Sequence, residues 1–126
     1  MTISEHPFFL DGALNIAQGS GYRAGMDAVL LAASINMPKN KHALELGCGV
    51  ATALLCAAWR NPQVQFYGLE KQTELLQIAN ENITRNHMQT QVEVVAGDIA
   101  NLPAPFRQDQ FDQVFFNPPF QETRDQ

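Results

Sequence analysis

Charge is scarce in this sequence. Asp, Glu, Lys and Arg make up 17% of its 126 residues, and only eight of them are basic. The net charge of -5 and an isoelectric point near 5.0 argue against a broad nucleic-acid surface within the chain, since such surfaces are basic. A nucleic-acid substrate would need cationic surface supplied from elsewhere. Cysteine is limited to Cys48 and Cys56, which lack the spacing of metal ligands. If the stretch after Cys48 is helical, the two lie roughly 12 Å apart along the axis, too far for a disulfide. Reduced thiols are expected. No long apolar run is present: the longest apolar helix candidate, residues 28–35, falls well short of the roughly 20 residues that span a bilayer. The opening MTISEHP lacks the basic start and apolar run of a secretory signal, so a cytoplasmic location and no membrane partner are expected.

What is present reads as an ordinary globular domain, 45% hydrophobic, without repeats, low-complexity tracts or linkers. Asp11-Gly12 between two short apolar runs predicts a tight amino-terminal hairpin. GSGYRAGMDAVLLAASI then predicts a helix capped by Asp27 and running to about Asn36, apolar on all sides and therefore buried. From His42 the pattern alternates. HALEL, VQFYGLE, QVEVVAGD and FDQVFF read as strands. ALLCAAWR and residues 71–86 read as helices, the second amphipathic through Leu75, Ala79 and Ile83. IANLPAPFRQDQ, with its two prolines, is a loop. Strands alternating with helices predict an α/β fold: a doubly wound parallel sheet with helices on both faces. We assign one domain, 1–126, with the hairpin and helix in 1–40 and the sheet core in 41–126.

Functional residues of such a sheet gather at the carboxyl ends of its strands. Gly47 and Gly49, between a strand and a helix, permit a tight turn and close approach of a ligand; a purely structural turn would need the same glycines. Glu70 ends the second strand, where a carboxylate can accept both ribose hydroxyls of an adenosine group. The alternative is a solvated carboxylate beside a helix start. Asp98, after the third strand, can accept from a purine amine while Ile99 packs on the ring; alone it would be a turn residue. VFFNPPF, residues 114–120, is the most specific stretch. Pro118 and Pro119 stop the strand and stiffen the preceding carbonyls. The Asn117 oxygen and the Pro118 carbonyl can accept both hydrogens of a planar amine while Phe120 stacks on the attached ring. Those are the needs of methyl transfer to a base amine.

Together these residues resemble the class I S-adenosylmethionine-dependent methyltransferases that carry an Asn-Pro-Pro-aromatic motif, whose fold is Rossmann-like. LELGCGVA is similar to that family's first motif, with Glu45 at its acidic position near the methionine part of the cofactor and Ala51 where a third glycine is usual. By the same resemblance Glu70 is the ribose acid, Asp98 the adenine acid and NPPF the catalytic motif, with no metal involved. LDGALNIAQGSGYRAGMDAVLLAA resembles the amino-terminal signature of bacterial adenine methyltransferases that modify a valine tRNA. It implies that Tyr22 and Arg23 belong to a segment that closes over the cofactor.

Family members continue past the NPPF motif through three more strands, which are missing here. The resemblance implies strand order 3-2-1-4, leaving FDQVFF on an open edge that invites self-association or a partner. The expected function is methyl transfer from S-adenosylmethionine to the exocyclic amine of adenine in tRNA. The alternative is a truncated module that binds the cofactor without independent catalysis. A nicotinamide oxidoreductase ranks third, because it has no use for NPPF and Thr52 stands where its glycine loop wants a small final residue.

Overall fold

The computed structural model describes residues 3–9, 14–19, 26–104, 106 and 111–116. Two strands, β1 (Ile3–Phe9) and β2 (Leu14–Gly19), pair antiparallel from Ile3 opposite Gly19 to Phe9 opposite Leu14, with a register shift between His6 and Phe9. This is the expected hairpin. Its Asp11-Gly12 turn lies outside the described residues. Leu14, Ile16 and Ala17 are buried, so β2 docks on the main core.

The first helix, α1, spans Met26–Ala33, which corrects two sequence expectations. Asp27 falls inside the helix instead of capping it, and the helix stops three residues before Asn36. At its end the Ser34 hydroxyl donates to the Leu31 carbonyl at 2.6 Å, and Pro38 disfavours helical backbone at Met37. Burial is one-sided too. Ala28 and Ala32, one turn apart, are closed to solvent, whereas Leu30 is 58% exposed. Helix α1 packs against the helix α2 (Thr52–Arg60), and Leu31 also reaches the main core.

Four strands form the central sheet: β3 (His42–Leu46), β4 (Gln65–Glu70), β5 (Val92–Ala96) and β6 (Gln113–Phe116). Their order is β5-β4-β3-β6, all parallel, which is the order the resemblance implied. Alternation along each strand divides the side chains between two faces. Ala43, Phe66, Val92 and Phe115 join the core beneath α1, α2 and α3 (Thr73–Arg85). On the opposite face Leu44 and Leu69 pack under Leu102, Phe106 and Phe111. Tyr67, Phe106 and Phe111 meet there edge to face, with ring centres 5.6 to 6.0 Å apart. Among the described residues the sheet is thus covered by α1, α2 and α3 on one side and by the β5–β6 connection on the other. Ala104 and Phe106 of that connection are helical, which corrects the loop expected there.

Buried amides tie the ends of these elements together. The seven residues Thr52–Ala58 of α2 are buried in succession, so its last carbonyls must find partners inside the protein. The Asn61 N–H donates to Ala57 and Ala58, and the Gln91 amide donates to Ala58 and, just beyond the helix, to the carbonyls of Asn61 and Val64, at 2.8 to 3.0 Å. Asn61 donates to Ile35 and Ala57 and accepts from the Met37 N–H. At the start of β6, Asp112 exchanges two 2.8 Å bonds with the backbone of His42, one through its own N–H and one through Oδ2. That clamp sets the register of β6 on β3. Helix α3 shows the predicted amphipathic stripe, with Ile78, Ala79 and Ile83 buried. No helix of the described residues is long and apolar enough to cross a membrane. Both cysteines are free and buried.

Candidate cofactor site

The loop between β3 and α2 turns through three left-handed residues, Gly47 (φ 69°), Gly49 (φ 59°) and Ala51 (φ 77°). Glycine takes this conformation without strain; alanine does not. The loop is laced to the end of β4. Gly47 and Cys48 donate their N–H groups to the Leu69 carbonyl at 2.8 and 3.0 Å. Gly49 donates to Glu70 Oε1 at 2.7 Å. A side chain at Gly47 would meet nothing within 4 Å, so the space beyond its Cα is open to a ligand. Beneath the loop the opposite holds: a Cβ at Gly68 would stand 2.7 Å from Cys48 Sγ and 2.9 Å from Leu54. Glycine in β4 therefore lets the loop and α2 settle on the sheet.

Glu70 is 6% exposed. Its Oε2 accepts from the Gln72 N–H at 3.0 Å, at the start of α3. Each oxygen of Glu70 holds one backbone donor among the described residues and keeps lone-pair capacity for another. The Glu70 carbonyl accepts the Gly97 N–H at 3.1 Å, which brings the tip of β5 alongside. The next residue, Asp98, is exposed and accepts the Ala100 N–H through Oδ1 at 3.1 Å, and Ile99 beside it is 50% exposed. Gly47, Gly49, Glu70, Asp98 and Ile99 therefore stand on one edge of the sheet, at the carboxyl ends of three neighbouring strands. β6 ends at Phe116 opposite Leu46, at this same edge. Asn117, Pro118, Pro119 and Phe120 lie outside the described residues, as do Tyr22 and Arg23.

Behind the loop, Glu45 is 1% exposed, and its Oε1 and the hydroxyl of Thr52 are buried without a hydrogen-bond partner among the described residues. Burial, and then the charge of Glu70, raises the Glu45 carboxyl well above the usual carboxylate range. The Cys48 thiol is raised by burial and by Glu45 and Glu70. Burial and Glu45 push Cys56 up to about 11. Two acidic side chains with no Lys or Arg interacting with them among the described residues suit a positively charged or hydroxyl-rich ligand. These features fit an adenosyl sulfonium cofactor: open space at the glycine turn, an acid at each of two strand tips and an unpartnered buried oxygen. Among the described residues no group of His, Cys, Asp and Glu is placed to hold a metal ion.

Thr52 and Asn82 of this region carry no motif of their own; the signal for Asn82 is its position between Ala79 and Ile83, which puts an amide on the buried stripe of α3.

Among curated proteins, the tRNA1(Val) (adenine(37)-N6)-methyltransferase of Flavobacteriaceae bacterium (strain 3519-10) is 28% identical over 102 residues, covering 81% of this chain and 43% of that protein. The protein of that name from Yersinia enterocolitica is 30% identical over 99 residues, covering 78% and 39%. The chain thus spans less than half the length of the curated relatives it matches. Of solved structures, the precorrin-6y C5,15-methyltransferase of Geobacter metallireducens superposes with a TM-score of 0.68 at 15% identity, over 80% of this chain and 53% of that one. Coclaurine N-methyltransferase, bound to N-methylheliamine and SAH, superposes at 0.60 with 18% identity, over 71% and 25%. These likenesses show the Rossmann-like class I methyltransferase fold. The methyltransferase domain family matches residues 38–126, so the chain belongs to that family.

Proposed function

We propose that this chain is the cofactor-binding part of an S-adenosylmethionine-dependent methyltransferase that acts on the exocyclic amine of adenine in tRNA. The observation that carries the reading is the meeting of Gly47, Glu70 and Asp98 at adjoining strand ends, joined by the 2.7 Å bond from the Gly49 N–H to Glu70. In this reading Glu70 accepts both ribose hydroxyls with its remaining lone pairs. Asp98 accepts from the adenine amine, and Ile99 offers the ring an apolar surface. Gly47 and Gly49 admit the ligand to the backbone, and Glu45 turns its unpaired oxygen to the aminoacyl end. Tyr22 and Arg23 complete the cofactor's surroundings.

Bound there, S-adenosylmethionine supplies an electrophilic methyl group. Asn117 and the Pro118 carbonyl accept the two hydrogens of the target amine, Pro119 stiffens that arrangement, and Phe120 stacks on the base. Accepting both hydrogens would favour the nitrogen lone pair for attack and stabilise the positive charge that develops on it, and one of the two hydrogens would then leave as a proton to water, giving the neutral methylated amine. Positioning and fixed dipoles supply the rate. The substrate assignment rests on the NPPF motif and on the names of the relatives, and it implies a cytoplasmic enzyme.

One observation favours a second reading, a module that binds the cofactor without catalysis alone. The chain carries a net charge of -5, and tRNA needs basic surface. Calorimetric titration with S-adenosylmethionine, beside tritiated methyl transfer to unmodified tRNA, tests both. Binding with transfer supports the enzyme, and binding without transfer supports the module. Absence of binding overturns both.

A further inference from the structure

Asn82 is fully closed to solvent, and each hydrogen-bonding position of its amide is in use. Oδ1 accepts the Ala17 N–H at 2.8 Å and Arg85 Nη1 at 3.0 Å. Nδ2 donates to the Ala17 carbonyl at 3.0 Å and to the Val50 carbonyl at 2.9 Å. One side chain of α3 therefore holds the backbone of β2 and the backbone of the glycine loop together. Val50 lies between Gly49 and Ala51, both left-handed. The Ala51 conformation is strained for a residue with a Cβ, and such strain persists only where the surroundings over-determine it. The grip on Val50 is one such restraint. It also stands one residue from the Gly49 N–H that engages Glu70.

We propose that Asn82 is a positioning residue: it couples docking of the amino-terminal hairpin to the shape of the glycine loop, and so sets how tightly that loop holds an adenosyl cofactor. The inference rests on the cofactor reading above. Asn82 acts through Val50, Gly49 and Glu70 and makes no contact with the ligand itself. Loss of its amide frees the Val50 carbonyl and lets Gly49 and Glu70 drift from the arrangement that receives the ribose. Release of β2 from α3 has the same effect, because β2 and the loop share one amide.

Asn61 provides the control. It too is a buried amide with three bonds, but it caps the far end of α2, away from the loop. S-adenosylhomocysteine is titrated calorimetrically into the full chain and into Asn82→Leu, Asn82→Asp and Asn61→Leu, at a temperature where circular dichroism shows each one folded. Both Asn82 variants should bind at least about fivefold more weakly, within the usual range of coupling between sites. Asn61→Leu should lose thermal stability but keep wild-type affinity. A purely structural role would leave the Asn82 and Asn61 variants alike in affinity, and that result overturns the inference.

A measurement on the wild-type chain holds even if the Asn82 variants do not fold. S-adenosylhomocysteine should slow hydrogen exchange at the Ala17 amide, which donates to Asn82, as well as at Gly49. The Asn40 amide, bonded to Gln63 at the opposite end of the sheet, should not change. Slowing at Gly49 without slowing at Ala17 overturns the coupling and leaves the cofactor reading standing. A wild-type chain that does not bind overturns both.

Discussion

Glu45 is a carboxyl group withheld from water, with one oxygen lacking any partner among the described residues. Above the ordinary glutamate value of about 4.3, the unfolded chain has given up this proton while the folded chain, its pKa raised, retains it. The folded state then binds more protons, so stability falls as pH rises and levels off only once the folded pKa is passed. The negative charge of Glu70 adds to the upward shift and so extends the pH interval over which stability declines. Glu45→Gln should therefore flatten the decline that sets in as pH rises above about 4.3, by up to about 1.4 kcal/mol for each pH unit. Urea denaturation across that range checks it, and parallel profiles for the two proteins would contradict it. Asn117 makes a different demand. Asn117→Ala should retain S-adenosylmethionine binding in calorimetry and lose methyl transfer, and full turnover by the variant would remove Asn117 from the reaction.

Elements were legible in the sequence where their signal was local. HALEL appears as β3 at the predicted residues, because a short stretch with apolar Ala43, Leu44 and Leu46 just before Gly47 and Gly49 is too brief for a helix and ends in a turn. The stripe of Leu75, Ala79 and Ile83 gave α3 for a similar reason. α1 departs from its expectation because extent and burial depend on what packs against it: Ala28 and Ala32 are covered, and Leu30 is left to solvent. The candidate site divides in the same way. Gly47, Gly49, Glu70 and Asp98 were readable from their places after strands. The orphaned oxygen of Glu45 and the Asn82 bridge depend on residues far apart in sequence. Gln91 carries the element-scale prediction. Its amide serves three carbonyls around the end of α2, so Gln91→Ala should cost about 1–3 kcal/mol, the price of stranding buried acceptors. Urea unfolding measures it, and a loss below half of that would show the carbonyls finding other donors.

At the scale of the whole molecule, the edge of the sheet matters most. β6 carries no strand on its outer edge among the described residues, and Val114 and Phe116 are 52% and 49% exposed. Both pair in register with Leu44 and Leu46, placing a row of apolar side chains on the face opposite the helices. An edge of this kind recruits another strand or a covering partner. The chain should self-associate at micromolar concentration, and Val114→Lys with Phe116→Lys should make it monomeric by sedimentation; a monomeric wild type would show the edge already protected. The interior suggests a practical consequence. Cys48 and Cys56 are both buried, with thiols held protonated well above neutral pH. In the folded chain both native thiols should therefore react slowly with maleimides. A cysteine introduced at exposed Lys39, on the turn opposite the proposed site, should be the one place a dye attaches, giving a single mass increment and a fluorescent reporter with the native thiols left in place.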